Sequence, residues 1–126
     1  MKSKLVYFLG ILVLAMSYCN KGKEDYLHVL TGRLEIAEPC GNSTFSILQG
    51  DPGNSLSQNT WVNPVDGHLY HHVFKVLNIC DFPFDRLKAG QVFTFRLTPE
   101  QAQNCLQCAV FYPTPDKGLA ITLAGN

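Results

Sequence analysis

The sequence predicts an all-β fold, and three observations lead to that class. Frequent Gly, Pro and Asn residues divide the chain after residue 26 into short runs. These runs are rich in Val, Ile, Phe, Tyr and Thr, which strands favour. Several runs alternate apolar and polar side chains, as strands with one buried face do. In a chain of 126 residues, this pattern predicts one small domain of about five to seven strands.

The first predicted strands lie in the amino-terminal half of this domain. The segment HVLTGRLEIAE, residues 28–38, has apolar residues or glycine at alternate positions and polar residues between them. The run STFSILQ offers Phe45 and Leu48 as core residues. The run HHVFKVLNIC has apolar residues at both parities, which is typical of a strand buried on both faces.

The remaining predicted elements follow a turn-rich region. The segment LKAGQVFTFRLT places Phe93 and Phe95 on one side of a strand. Residues 98–101 then supply an N-cap threonine, a proline at the first helical position and a capping-box glutamine. They predict one short helix, up to Asn104. The segments CAVFY and LAITLA predict two final strands.

The order of these elements resembles a small OB-like barrel. The resemblance is carried by the opening Leu-Thr-Gly-Arg strand, the Lys-Ala-Gly-Gln-Val turn and the single short helix. It implies a sheet closed on itself. An immunoglobulin-like β-sandwich is the alternative, but Trp61 lies in a polar, turn-rich context unlike the buried strand tryptophan of such sandwiches.

The amino terminus has the features of an export signal. Lys2 and Lys4 precede an unbroken apolar run over residues 5–16. This run is shorter than the ~20 residues that a membrane-spanning helix needs, so a cleaved signal is favoured over an uncleaved anchor.

The end of this signal resembles the lipobox of bacterial lipoproteins. The residues LVLAMSYC precede the polar segment NKGKED, and the resemblance covers about the first 25 residues. In that family the signal is removed before a cysteine that receives acyl chains such as palmitate, which implies lipidation of Cys19. Tyr18 and Met16 depart from the usual small residue and leucine. Cleavage after Ser17, which would give a soluble secreted or periplasmic protein, is the alternative.

These boundaries divide the chain into a signal peptide (1–18), a lipidated terminus with a polar tether (19–26) and one all-β domain (27–126). The general layout resembles small lipoproteins of Bacteroidota-type bacteria, which implies no activity. We expect a lipid-anchored protein of the bacterial cell envelope, with the membrane as a partner through the lipid. Without the two lysines of the signal, the chain has a net charge of −2. That charge argues against nucleic-acid binding.

The cysteine count fits this reading. Five cysteines leave one without a partner, and lipidation of Cys19 leaves four. Cys105 and Cys108 form a C-x-x-C, whose sulfurs point to opposite faces of an extended chain. We therefore expect two structural disulfides, in which Cys40 and Cys80 each join one member of this pair. The sequence leaves both such pairings open, and a Cys40–Cys80 bridge as well.

Two other uses of these cysteines are less consistent with the sequence. A redox dithiol needs a thiolate at a helix N-terminus, whereas the predicted helix ends at Cys105 with its partially negative end. A zinc site would need four thiolates from a single C-x-x-C and two isolated cysteines, in an oxidising compartment. We expect no metal or other cofactor.

One strand carries the candidate ligand-binding residues. Tyr70, His72 and Phe74 share a face of the predicted barrel and could contact a glycan or a peptide. The three histidines of GHLYHH suggest a metal site. Metal ligands on a strand favour i, i+2 spacing, but Tyr70 occupies the position two residues from both His68 and His72. Further aromatic candidates are Trp61, Phe111 and Tyr112.

The sequence contains no recognisable catalytic motif. There is no Gly-x-Ser-x-Gly, His-Glu-x-x-His or phosphate-binding glycine loop, and no catalytic residue is assigned. We expect a non-catalytic role in the envelope, either structural or in binding an envelope protein or a glycan.

Overall fold

The computed structural model describes residues 28–53, 56–106 and 108–125. The predicted signal peptide, the lipidation residue Cys19 and the polar tether up to residue 26 lie outside these residues. Within the described ranges, no helix has the length and apolar composition needed to cross a membrane.

Strands and two short turns of 3-10 helix form the described chain, so the all-β class is confirmed. The strands are β1 (Leu30–Ile36), β2 (Thr44–Gln49), β3 (Gln58–Val62), β4 (Leu69–Val76), β5 (Val92–Leu97), β6 (Gly118–Leu119) and β7 (Ile121–Leu123). The 3-10 turns span Pro39–Gly41 and Phe84–Arg86.

The strands form one sheet with the order β3-β4-β2-β1-β5-β7. Neighbours in this order are antiparallel, whereas β6 pairs in parallel with β4. Because the strands belong to one connected sheet, the alternative of a two-sheet sandwich is not what the chain forms.

The sheet is not a closed barrel, which corrects the closed sheet implied by the OB-like resemblance. The carboxy-terminal segment bonds to β4 through β6 and to β5 through β7, and the ladder is interrupted between them at Ala120. The Ala120 carbonyl accepts a hydrogen bond from the Thr98 N–H. Asn78 bridges part of the gap, since its side chain donates to the Ile121 carbonyl at 2.8 Å and accepts from the Ile121 N–H at 2.9 Å.

Aromatic side chains form the centre of the core. Phe45, Phe74 and Phe95 are fully buried, and the Phe74 ring centroid lies 5.6 Å from those of the other two. The predicted core residues Phe93 and Phe95 are both buried. Leu48 was expected in the core and is exposed instead, because the two-residue alternation of β2 directs Phe45 inward and Leu48 to the opposite face.

Gly32, at the middle of β1, allows these rings to pack closely. A Cβ atom at this position would lie 2.9 Å from the Phe95 ring and 2.9 Å from the Ser46 carbonyl oxygen. The glycine therefore provides space for an aromatic ring above one strand and for the backbone of its neighbour.

Two elements predicted near the carboxy terminus are absent. Residues 98–104 form no helix, and the segment CAVFY forms no strand. The Thr98 N–H is bonded to Ala120, and the Gln103 side chain accepts from the Cys80 N–H at 2.8 Å. These tertiary bonds hold the chain in an irregular path, despite local helix-starting signals. We call the connection from Thr98 to Lys117 the strap.

Candidate functional site

Two disulfides fasten the strap to the sheet. Cys40 bonds to Cys108 and Cys80 bonds to Cys105, each with its Cα atoms 5.6 Å apart. This is one of the two pairings that the sequence left open. Cys40 lies in the turn after β1 and Cys80 in the turn after β4, so the C-x-x-C joins two separate loops through one stretch of chain.

Side-chain hydrogen bonds hold the rest of the strap. Asn42 donates to the Val110 carbonyl at 2.9 Å, and Asn63 donates to the Tyr112 hydroxyl at 3.2 Å. The Asp116 N–H donates to the Gln58 side chain at 3.0 Å. Asparagine and glutamine side chains from the sheet and its loops thus hold the strap, whose described residues form no β-ladder.

In this oxidised state the four domain cysteines bond to each other. Within the described part of the chain, no three His, Cys, Asp or Glu side chains cluster as a metal site requires. The C-x-x-C therefore performs a structural function here, as two separate attachments of the strap.

The structure does not bring the predicted ligand face together. Phe74 is fully buried in the core, whereas His72 is exposed. The reason is a left-handed backbone at His72, with φ of 50°, which interrupts the two-residue alternation between Tyr70 and Phe74. The assignment of Phe74 to a ligand face is therefore wrong, because its ring has no access to solvent.

His72 instead lines a groove at the carboxy-terminal end of β2. The groove has a volume of about 850 Å³ and is bounded by the loop after β2, the start of β3 and the end of the strap. Its polar lining includes Gln49, Asp51, Asn59, His72 and Lys117. No two of these residues are neighbours in sequence.

The lining offers several kinds of hydrogen-bonding group. Asp51 accepts from the Gly53 N–H at 2.9 Å and so stabilises its own loop. Gln49, Asn59, His72 and Lys117 are exposed, and they offer amide, imidazole and ammonium groups. The half-buried Ile47 supplies apolar surface. Leu48 and Pro52 add further apolar surface. Such a mixture of donors, acceptors and apolar surface suits a ligand that carries hydroxyl groups.

The backbone of His72 is strained in this groove. A left-handed conformation costs a side-chain-bearing residue about 1–2 kcal/mol, and strained residues are enriched at functional sites. His72 is exposed, whereas the next two residues, Val73 and Phe74, are buried on the two faces of β4. The strained residue therefore lies where β4 enters the core.

A second group of rings, of which Trp61 and Tyr70 are half-buried and His68 is exposed, lies on the β3–β4 hairpin. Trp61 is directly opposite Tyr70, with ring centroids 5.9 Å apart, and the His68 ring lies 4.4 Å from Tyr70. Burial raises the pKa of Tyr70, and the negative charges of Asp66 and Glu35 raise it further. Tyr70 therefore lies among polar groups, apart from Phe74 and the core.

The other aromatic candidates have different environments. Tyr112 is half-buried and bonded to Asn63, so it belongs to the attachment of the strap. Phe111 is 83 % exposed.

The groove residues Gln49, Asn59 and Lys117 were not identified from the sequence. They lie on β2, β3 and the end of the strap, and they form no motif. The only local indication was the turn-rich segment GDPGNSLSQN, of which residues 50–53 and 57–59 line the groove. Searches against protein-family models, curated proteins and solved structures found no match to this chain.

Proposed function

We propose that this chain is an exported domain, held at the bacterial envelope by a lipid on Cys19, with a non-catalytic structural or binding role. The observation that carries the proposal is the pair of disulfides that fastens the strap. Disulfides of this kind persist in oxidising compartments outside the cytoplasm.

The cysteine count supports the anchor. Four of the five cysteines are paired in the domain, so the remaining one is Cys19. It stands directly after the export signal, where a lipoprotein carries its acyl chains. Lipidation would use the one cysteine that the disulfides leave over. The residues between Cys19 and β1 would then span up to roughly 35 Å between bilayer and domain.

Intact mass spectrometry of the full chain, expressed in a bacterium that processes lipoproteins, tests both parts. The expected mass corresponds to a chain beginning at Cys19 with added acyl groups, and alkylation should modify four cysteines only after reduction. An acyl-free chain beginning at Tyr18 would overturn the anchor. Alkylation of domain cysteines without reduction would overturn the disulfides.

A Cys19→Ser variant is the matched control. It should lose the acyl mass and leave the membrane fraction while both disulfides remain. Retention of Cys19→Ser in the membrane fraction, to the same extent as the unaltered chain, would show that the lipid is not the anchor.

The groove beside His72 favours glycan binding as a second candidate function. The specific observation is a strained, exposed histidine in a groove lined by amide and ammonium groups. A soluble cell-wall oligosaccharide should shift the amide NMR signals of Asn59 and His72. Lys117→Ala should weaken this binding severalfold, while Lys88→Ala, an exposed lysine outside the groove, should not. Equal effects of the two variants, or shifts confined to other residues, would argue against this site.

A further inference from the structure

Strand β3 lies at one end of the sheet. It pairs with β4 along one side, and none of the other described residues pairs with its second side. The Asn63 N–H donates to the His68 carbonyl at 2.9 Å, which marks this pair as a hydrogen-bonded pair of the hairpin. Because such pairs alternate along an antiparallel ladder, the Trp61 and Tyr70 pair is also hydrogen-bonded. The backbone groups of Thr60 and Val62 therefore point outward.

This edge lacks the usual protections against pairing with another chain. Its sequence, QNTWV, contains no charged residue and no proline. On one face, Val62 is 54 % exposed and its cross-strand partner Leu69 is 48 % exposed. An uncharged edge next to exposed aliphatic side chains favours the addition of another strand.

Both ends of the edge are blocked, which limits what can pair there. At one end, the Gln58 side chain accepts from the Asp116 N–H, so the strap lies beside the first residue of β3 and restricts access to it. At the other end, Pro64 has no N–H to donate. The accessible edge is therefore the three-residue stretch from Thr60 to Val62, and its outward groups are symmetric about Trp61.

We propose that the occupant of this edge is a second copy of the chain, paired antiparallel through β3 on a twofold axis at Trp61. In that register Thr60 of each copy faces Val62 of the other. The N–H and C=O groups of these residues satisfy one another in four hydrogen bonds. An uncharged stretch with symmetric outward groups is complementary to itself, as an isologous interface requires.

This register also brings the side chains into favourable pairs. The two Trp61 residues form a non-hydrogen-bonded pair, the position where opposing Cα atoms are closest, at about 4.5 Å. Their indoles extend the existing pair with Tyr70 into a row of four rings across the dimer. On the other face, Thr60 of the second copy covers part of the exposed Val62.

Cysteine cross-linking in intact cells tests the register with the full chain. In Trp61→Cys, the new thiols of two copies would lie within the distance of a disulfide. In Asn59→Cys, an exposed position on the same strand, they would lie four residues apart along the ladder, about 13 Å. A non-reducing gel should show a dimer for Trp61→Cys and at least fivefold less for Asn59→Cys. Equal cross-linking of the two variants, or none in Trp61→Cys, would overturn the proposal.

Sedimentation of the full chain in mild detergent tests the edge itself. We expect a concentration-dependent species of twice the monomer mass that intact mass spectrometry gives for the same preparation. Thr60→Pro removes an outward N–H and should abolish this species, because proline is tolerated on edge strands without loss of the inward ladder. Thr60→Val keeps the N–H and should leave it intact. A chain that is monomeric at all concentrations, or an unaffected dimer in a folded Thr60→Pro, would also overturn it. If Thr60→Pro does not fold, the cross-linking variants decide.

Discussion

At the scale of single residues, His72 determines which side chains of β4 enter the core. Its left-handed backbone separates the polar surroundings of Tyr70 from the buried Val73 and Phe74. A residue with a Cβ atom adopts this conformation at a cost in free energy. The shape of β4 and of the adjacent groove therefore lowers the stability of the domain at His72.

Replacing His72 by glycine should remove that cost. We expect His72→Gly to raise the free energy of unfolding by about 0.5–1 kcal/mol, because glycine adopts positive φ freely. The control is His71→Gly, an exposed neighbour without positive φ, which should lower it by a similar amount. Urea unfolding followed by circular dichroism measures both. A loss of stability in both variants would contradict the assigned strain.

The environment of Tyr70 predicts an alkaline limit to stability. Burial, with Asp66 and Glu35, raises its pKa above the usual 10.0. The favourable contribution of the neutral phenol is present below pH 10 and is lost as the pH rises through the raised pKa. Asp66→Asn should lower the pKa of Tyr70, read from its ring carbon NMR shift, while Asp85→Asn should leave it unchanged. An unchanged pKa in Asp66→Asn would contradict the charge effect.

For some single residues, the sequence pattern was sufficient to predict burial in the core. Alternation in β1 and β5 placed Leu34, Phe93 and Phe95 in the core. The same rule failed across His72, because no local signal marks a left-handed histidine inside a strand. The groove could not be predicted for a different reason, since its side chains come together only through the sheet order and the strap.

At the scale of elements, the strap shows tertiary bonds overriding local propensity. A capping box and a proline at N1 predicted a helix, yet the segment follows β7 and the loop after β4. The sequence did predict that Cys105 and Cys108 would join distant partners. That argument rested on strand geometry, and the described residues beside the two cysteines form no strand, yet the two cysteines do join distant partners.

The two disulfides should differ in their contribution to stability. The Cys40–Cys108 bridge spans 68 residues and the Cys80–Cys105 bridge spans 25. In the chain-entropy description they restrict the unfolded state by roughly 4.4 and roughly 3.5 kcal/mol. Replacing Cys40 and Cys108 by serine should therefore lower the free energy of unfolding more than replacing Cys80 and Cys105. Urea denaturation of both double variants measures the order, and the reverse order would show that local packing outweighs loop length.

At the scale of the whole molecule, the carboxy-terminal segment connects the two sides of the sheet. It bonds to β4 and to β5, and it places Leu119 and Ile121 in the core. The sequence predicted a strand over the segment LAITLA, and the order of the predicted elements resembled that of an OB-like barrel. It could not show that the ladder breaks at Ala120, because that break depends on the Thr98 and Asn78 bonds to distant backbone.

Truncation should reveal how strongly the fold depends on this segment. A chain ending after Lys117 should lose its cooperative unfolding transition, because β4 and β5 each lose one neighbouring strand and the core loses Leu119 and Ile121. A chain ending after Ala124 keeps the Ala124 N–H bond to Thr94 and should unfold like the full chain. Far-ultraviolet circular dichroism with thermal melting compares them. A cooperative melt of the shorter chain would show that the first five strands are sufficient.

The position of β6 and β7, after all the other strands in sequence, determines when the sheet can be completed during folding. A growing chain must extend past Leu123 before its sheet can be completed, and Cys40 must wait for Cys108, 68 positions later. Until then, β4 lacks its pairing with β6 and β5 lacks its pairing with β7. Completion of the sheet and closure of the Cys40–Cys108 bridge are therefore late events in folding, since both join residues far apart in sequence.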